Sequence, residues 1–318
     1  MKYLFASDIH INESRFLNDT KRALNFVHET VLSERPDYLI LLGDIFDKRR
    51  PVPTEMRVLN QWLTHVKEAV KQVIILEGNH DLDIDVSTLS YIQDLGIEKV
   101  AVVHPPFVFN GFYLGHEHIE GAVADNNFVI SGGASLEDII RTHDECAVFA
   151  FGDFHKPQIL QDVPFCFYAG SLTKTNFSER DDDKKLWLFN NHKLEKTISV
   201  PTRAMFQFDI NVADRVDVDE PAPWEGLDLA DALVKIVYSG TKEALSQVHE
   251  KGLKKDFLEV KKVHRLKVEY KVTDRSKPRN ENMTESISDE QALKEYVKDR
   301  NMKRKKEVIQ KGLDIINE

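Results

Sequence analysis

Residues 38–47 read Tyr-Leu-Ile-Leu-Leu-Gly-Asp-Ile-Phe-Asp. An apolar run this short, closed by a glycine, predicts a strand buried on both faces, as in a parallel sheet. Gly43 lets the backbone turn tightly where the strand ends. Asp44 has two carboxylate oxygens and can bridge two cations. Asp47 is placed to accept a hydrogen bond and orient a histidine beside them.

The pattern repeats on either side. Residues 2–6 form another apolar strand and run into Ser7-Asp8-Ile9-His10. Residues two apart at a strand end point the same way, so Asp8 and His10 can grip one ion together. Residues 73–76 form a third strand and lead to Gly78-Asn79-His80-Asp81. Asn79 offers a neutral carbonyl oxygen to a metal. His80 then projects towards a substrate, where it can stabilise phosphoryl charge or protonate a leaving oxygen. Helical spacing covers 19–34 and 54–71, so strand and helix alternate and βαβ units follow. Each polar block sits after a strand, where open α/β sheets bind ligands.

Farther along, short strands are expected at 100–103, 107–109, 112–114, 128–130, 147–151, 165–168, 186–189 and 193–200, with a helix over 136–142. A second region has strands at 206–212, 234–238 and 266–272 and helical spacing at 229–233 and 242–250. Residues 274–286 are polar and read as a linker. A capping box at Ser288-Asp289-Glu290-Gln291 opens a helical tail, with Ile309, Leu313 and Ile316 on one stripe. The expected domains are 1–200, 201–273, linker 274–286 and a helical C-terminal segment 287–318.

Two further blocks hold histidines. Gly115-His116-Glu117-His118 could pair with His104 upstream, or His116 could supply the fourth block and Gly152-Asp153-Phe154-His155 the fifth. The second arrangement is preferred, because the fifth block then also follows a strand. His118 remains an alternative to His116, or a support beside it.

Composition narrows the classes. The chain of 318 residues carries a formal net charge of −10. From 251 onward 19 Lys/Arg face 13 Asp/Glu, a net of +6, so the remainder carries −16. The overall sign argues mildly against nucleic acid, but a local basic patch matters more than the sum. Lys48-Arg49-Arg50, directly after the second block, is either such a patch for phosphates or a solvated cluster. No apolar run approaches the ~20 residues that span a bilayer, so no membrane association is expected. Cys146 and Cys166 are too far apart for a CxxC pair, which suits a reducing cytoplasm.

These blocks, in this order, resemble the calcineurin-like metallophosphoesterase superfamily. Gly43-Asp44-Ile45-Phe46-Asp47, Gly115-His116 with Glu120-Gly121, His155-Lys156-Pro157-Gln158 and Tyr168-Ala169-Gly170-Ser171-Leu172 are similar to the SbcD/Mre-type DNA repair nucleases within it. The similarity covers about residues 1–200. It implies a four-layer α/β/β/α sandwich with a small α+β capping domain and a helical C-terminal tail. It implies two divalent ions, manganese by preference: Asp8, His10, Asp44 and His155 on the first, Asp44, Asn79, His116 and Asp153 on the second. A hydroxide between them attacks the phosphodiester, with His80 assisting the leaving group. The implied activities are 3′–5′ double-strand exonuclease and single-strand endonuclease. The implied partners are DNA and an SbcC-like coiled-coil ABC ATPase docked on the C-terminal segment, and the resemblance also admits a homodimer. The family pattern has histidine where this chain has Asp153. Either the carboxylate ligates in its place, which suits a hard cation, or the second metal is weakened and turnover reduced. The weighed alternatives are a small-substrate phosphodiesterase or phosphatase of the same superfamily, and a non-catalytic scaffold.

Overall fold

The computed structural model describes residues 1–83, 86–124, 128–212 and 222–273. β1 (Lys2–Ala6), β2 (Tyr38–Leu42) and β3 (Gln72–Leu76) are each buried over their last four residues. They pair in parallel with one another and then with β6 (Val100–Val103). A minor ribbon, β4 (Leu82–Asp83) with β5 (Val86–Ser87), and a short helix α3 (Ser90–Asp94) precede β6. β12 (Lys185–Asn190) and β13 (Lys193–Ser199) add antiparallel at the other edge, giving the order β13-β12-β1-β2-β3-β6.

The two faces of this sheet are set by the alternation of side chains along each strand. Leu4, Leu39, Leu41, Val73 and Ile75 face the helices α1 (Leu17–Glu34) and α2 (Pro53–Val66), packing on Ala23, Leu24, Val27, Val31, Leu59 and Leu63. Tyr3, Phe5, Ile40, Leu42, Ile74 and Leu76 face the other way. There they meet Phe112, Leu114, Val148, Ala150 and Phe167 of a second sheet. Its order is β10-β11-β9-β8-β7. Its strands are β7 (Phe107–Phe109), β8 (Phe112–His116), β9 (Val148–Gly152), β10 (Gln158–Gln161) and β11 (Phe165–Tyr168). The outer face of this sheet, with Tyr113, Phe149, Phe151 and Tyr168, is covered by α4 (Leu136–Thr142) through Leu136, Ile139 and Ile140. Helix, sheet, sheet and helix therefore form the four expected layers.

A third sheet has the order β14-β15-β16, from β14 (Met205–Asn211), β15 (Leu233–Gly240) and β16 (Arg265–Val272). α5 (Lys242–Ser246) and α6 (Glu250–Lys255) lie between the last two strands. The chain divides into two compact units. The first is Met1–Phe208, Pro221–Val237 and His249–Glu269; the second is Asp209–Glu220, Tyr238–Val248 and Tyr270–Glu318. In the second unit Tyr238 stacks on Tyr270 at 6.1 Å, and Thr241 caps α5 by accepting from Ala244 N. The expected linker 274–286 and docking segment 287–318 lie outside the described residues.

Three local expectations are corrected. Residues 128–130 form no strand; Val129 makes one isolated bridge with Val123, and Phe128 and Val129 stay exposed. Residues 229–232 are irregular chain with a turn at 230–231, not a helix, because Asp231 adopts φ 58°, and Leu233 already opens β15. Residues 242–250 break into α5 and the start of α6 at Gln247. β10 was not anticipated. Among the described residues no helix is long and apolar enough to cross a membrane.

Candidate metal centre

Five loops, all at the carboxyl ends of parallel strands, bring their polar side chains to one place in the first unit. β1 delivers Asp8 and His10, β2 Asp44, β3 Asn79 and His80, β8 His116, and β9 Asp153 and His155. Asp8, His10, Asp44 and Asp153 adopt φ of 48°, 49°, 50° and 90°. Left-handed backbone costs a non-glycine residue about 1 kcal/mol or more, and such strain collects at functional sites. Gly43 has φ 87°, and a Cβ there would stand 2.3 Å from His116 Nδ1. A Cβ on Gly78 would come within 2.1 Å of Asp44 Oδ1. Both glycines therefore leave room for the donors themselves.

The donors form overlapping groups. Asp8, His10 and His155 make one, His10, Asp44 and His80 another, Asp8, Asp44 and His116 a third. His10 Nε2 lies 3.0 Å from His155 Nε2, 3.6 Å from Asp44 Oδ2 and 3.9 Å from Asp8 Oδ1. On the other side, His116 Nε2 lies 3.3 Å from Asp44 Oδ1 and 3.9 Å from Asp153 Oδ1. Asp44 thus turns one oxygen to each histidine group. His80 stands with His10 and Asp44 as a further nitrogen.

The residues fit divalent ions on two counts. Two imidazole nitrogens facing at 3.0 Å can share one proton at most, whereas a cation satisfies both lone pairs. The Asn79 carbonyl oxygen faces Asp44 Oδ1 at 3.2 Å, Asp44 Oδ2 at 3.3 Å and His116 Nε2 at 3.2 Å. A reversed amide would donate to all three. Either orientation brings this amide within reach of a shared cation, and its carbonyl oxygen is the atom that can ligate one.

Proton affinities follow from burial and neighbours. Burial, and then His155, press His10 down to about 4. Burial also pulls His116 down, but hydrogen bonding to Asp44 and the charges of Asp8 and Asp44 outweigh it and raise His116 to about 10. For His155 burial is likewise outweighed, by Glu179 and Asp8, which lift it to about 9. Burial raises Asp8 to about 6. Without metal the centre holds protons, and metal binding must release them.

Several supporting residues have no local sequence signal. Glu179 is fully buried and accepts from His155 Nδ1 at 3.2 Å, Asn176 Nδ2 at 2.8 Å and Lys184 Nζ at 2.6 Å. Lys184 also donates to His155 O at 2.8 Å. Its run Arg180-Asp181-Asp182-Asp183-Lys184 reads as a solvated charge cluster, yet the Lys184 side chain is buried. Asp81 accepts from the backbone N–H of Gly78, Ile45 and Phe46 at 3.0–3.2 Å, tying the second and third loops together. Its tetrapeptide was visible in the sequence, its role was not. His116 Nδ1 is held by Leu42 O at 2.8 Å.

Asp47 orients a histidine through its main chain: its carbonyl oxygen accepts from His80 Nδ1 at 2.8 Å. Its carboxylate accepts from Asn12 Nδ2 at 2.6 Å and stands 3.8 Å from His10 Nδ1, outside hydrogen-bond reach. Lys48 and Arg49 are exposed, while Arg50 is engaged by Asp83 at 2.6 Å. His104 is outside the cluster and pairs with Glu77. His118 lies beside Asp153, 2.6 Å from its Oδ2.

A family model described as Calcineurin-like phosphoesterase matches residues 1–193. The SbcD component of the nuclease SbcCD from Escherichia coli (strain K12) is 27% identical over 100 residues, covering 30% of this chain and 24% of that protein. DNA double-strand break repair protein Mre11 of Aeropyrum pernix is 23% identical over 265 residues, covering 67% of this chain and 64% of that protein. The chain thus spans about a quarter of the length of the Escherichia coli relative it matches. Among solved structures, Pseudomonas putida nuclease MPE aligns with a TM-score of 0.35 at 17% identity, over 58% of this chain and 84% of that one.

Proposed function

The chain belongs to the calcineurin-like phosphoesterase family, a hydrolase family acting on phosphoesters, and from that premise we propose that it is a metal-dependent DNA nuclease. The observation that carries this reading is Asp44, with one oxygen turned to His10 and the other to His116. A single carboxylate between two nitrogen donors is what a two-cation centre requires. The similarities to SbcD and to Mre11 favour DNA over a small phosphoester as the substrate.

Asp8, His10, Asp44 and His155 would hold one cation, and Asp44, Asn79, His116 and Asp153 the other. Divalent cations, manganese by preference, supply Lewis acidity that polarises a phosphoryl oxygen and acidifies water. The chain does the rest. Asp47 O accepts from His80 Nδ1 and so orients the ring; as the imidazolium, protonated on both nitrogens, His80 would give its Nε2 proton to the departing sugar oxygen as the bond to phosphorus breaks, and be left as the neutral Nδ1–H tautomer. Lys48 and Arg49 supply cationic contacts to the neighbouring phosphates; Arg50 is tied to Asp83 and contributes less. The segment 287–318 docks an SbcC-like coiled-coil ATPase, and the complex works in DNA repair in the cytoplasm.

The test incubates the purified chain with manganese and labelled duplex DNA, and separately with an aryl phosphodiester. Degradation of the DNA that stops on chelation is the expected result. Hydrolysis of the aryl ester alone would instead assign a small-substrate phosphodiesterase. Inertness towards both would leave a scaffold.

A further inference from the structure

We propose that His118 is a positioning residue that acts through Asp153: it anchors one carboxylate oxygen so that the other serves the second cation. The inference rests on the metal centre described above. No local motif assigns His118 this task, and the carboxylate at 153 is where this chain departs from the histidine of the family pattern.

A carboxylate in that place has a difficulty that an imidazole lacks. Its terminal torsion is broad, so neither oxygen is fixed by the rotamer. Asp153 solves this from outside. Its Oδ1 lies 3.9 Å from His116 Nε2, on the side of Asp44 and Asn79, while its Oδ2 lies 2.6 Å from His118 Nε2. Asp153 Oδ2 makes no hydrogen bond of good geometry, so this is a close polar contact. The backbone N–H of Asp153 donates to both oxygens of Asp8, at 3.1 and 3.2 Å, which fixes the main chain at the same point.

His118 is itself unusually well held for a side chain that is 59% exposed. The Tyr168 hydroxyl donates to Glu117 O at 2.6 Å and accepts from Ile119 N at 2.9 Å, so it clamps the chain on both sides of His118. Ala134 N donates to His118 O at 2.8 Å. The imidazole stacks on Phe154 with centroids 5.0 Å apart and planes at 16°, and Phe154 in turn packs on Tyr168 at 4.8 Å. Tyr168, Phe154 and His118 thus form a rigid bracket ending at Asp153 Oδ2. Its exposure makes His118 dispensable for the core, so replacing it should leave the fold intact.

Manganese binding to the full chain, followed by isothermal titration calorimetry, tests this. The wild type should bind two ions. His118→Ala should weaken one of them by about 10–100-fold and leave the other unchanged, as loss of a ligand's supporting contact does. His118→Gln, whose side-chain amide offers a polar N–H towards the same carboxylate oxygen, should recover part of that loss. The decisive comparison is the double variant. If His118 works through Asp153, adding His118→Ala to Asp153→Ala costs nothing more. Additive losses would make His118 an independent ligand and overturn the proposal. A His118→Ala isotherm identical to that of a wild type binding two ions would also overturn it, with the metal centre standing. A wild type that binds no manganese overturns the centre itself.

Discussion

His10 and His155 meet nitrogen to nitrogen, and what separates them is the partner behind each. His155 has Glu179 at its back, while His10 Nδ1 is buried without a hydrogen bond. Glu179→Gln should therefore lower His155 in the metal-free protein from about 9 towards the ordinary 6.5, as read by histidine NMR titration. The sign for stability follows. His155 is raised, so its contribution is full below about 6.5 and lost as pH rises through about 9. Glu179 is lowered to about 2, the contributions of its partners His155 and Lys184 outweighing burial, so its contribution is full above about 4.5 and lost as pH falls through about 2. The melting-temperature gap between metal-free wild type and Glu179→Gln should thus be widest between about pH 4.5 and 6.5, and should narrow above about 9. At His80 the expectation is different. His80→Ala should lower turnover by at least about 100-fold, the scale of a lost general acid, while calorimetry still finds two bound ions. Loss of an ion would show His80 to be a ligand. The donors were legible because each ends a strand or follows one within four residues. Glu179 and Lys184 were not, because their bond to His155 is closed by the fold, 24 and 29 residues away.

At the scale of the element, the centre depends on how sharply each strand ends. The loop after β3 passes so close to that after β2 that Gly78 leaves no space for a methyl group beside Asp44. Gly78→Ala should weaken manganese binding by at least about 10-fold, because the added carbon displaces the shared carboxylate. Far-ultraviolet circular dichroism should be unaltered, since β1–β3 do not rely on that position. A variant that binds metal normally would show the loop to be more yielding than this contact implies. The strands were readable because five-residue apolar runs have few other solutions. The failures are equally physical. Residues 128–130 have β-forming side chains but no neighbouring strand beyond one bridge, and a strand needs a partner for its backbone. Leu229, Ala232 and Leu233 are buried as a helix would bury them, but Asp231 turns the chain the other way.

For the molecule as a whole, the apolar stripe of Ile309, Leu313 and Ile316 sets the partner prediction. The segment that carries it should be separable from the chemistry. Removing residues 287–318 should leave manganese-dependent cleavage intact and abolish co-purification with an SbcC-like ATPase; retained co-purification would refute the docking assignment. Manganese itself should raise the melting temperature, by about 2.7 kcal/mol of added stability at 100 times its dissociation constant. The donors have two origins: Asp8, His10, Asp44 and Asn79 hang from the first sheet, His116, Asp153 and His155 from the second. Elsewhere those sheets meet through a seam of aromatic and aliphatic side chains, with no charged group among its described residues to tie one to the other. Ions held by both sets of donors would act as a rivet at one end of that seam. Hydrogen–deuterium exchange should therefore slow at residues 7–8, 43–44 and 152–153 when manganese is added and stay unchanged in α1. A chelator should then do more than strip the ions: it should unfasten one edge of the sandwich.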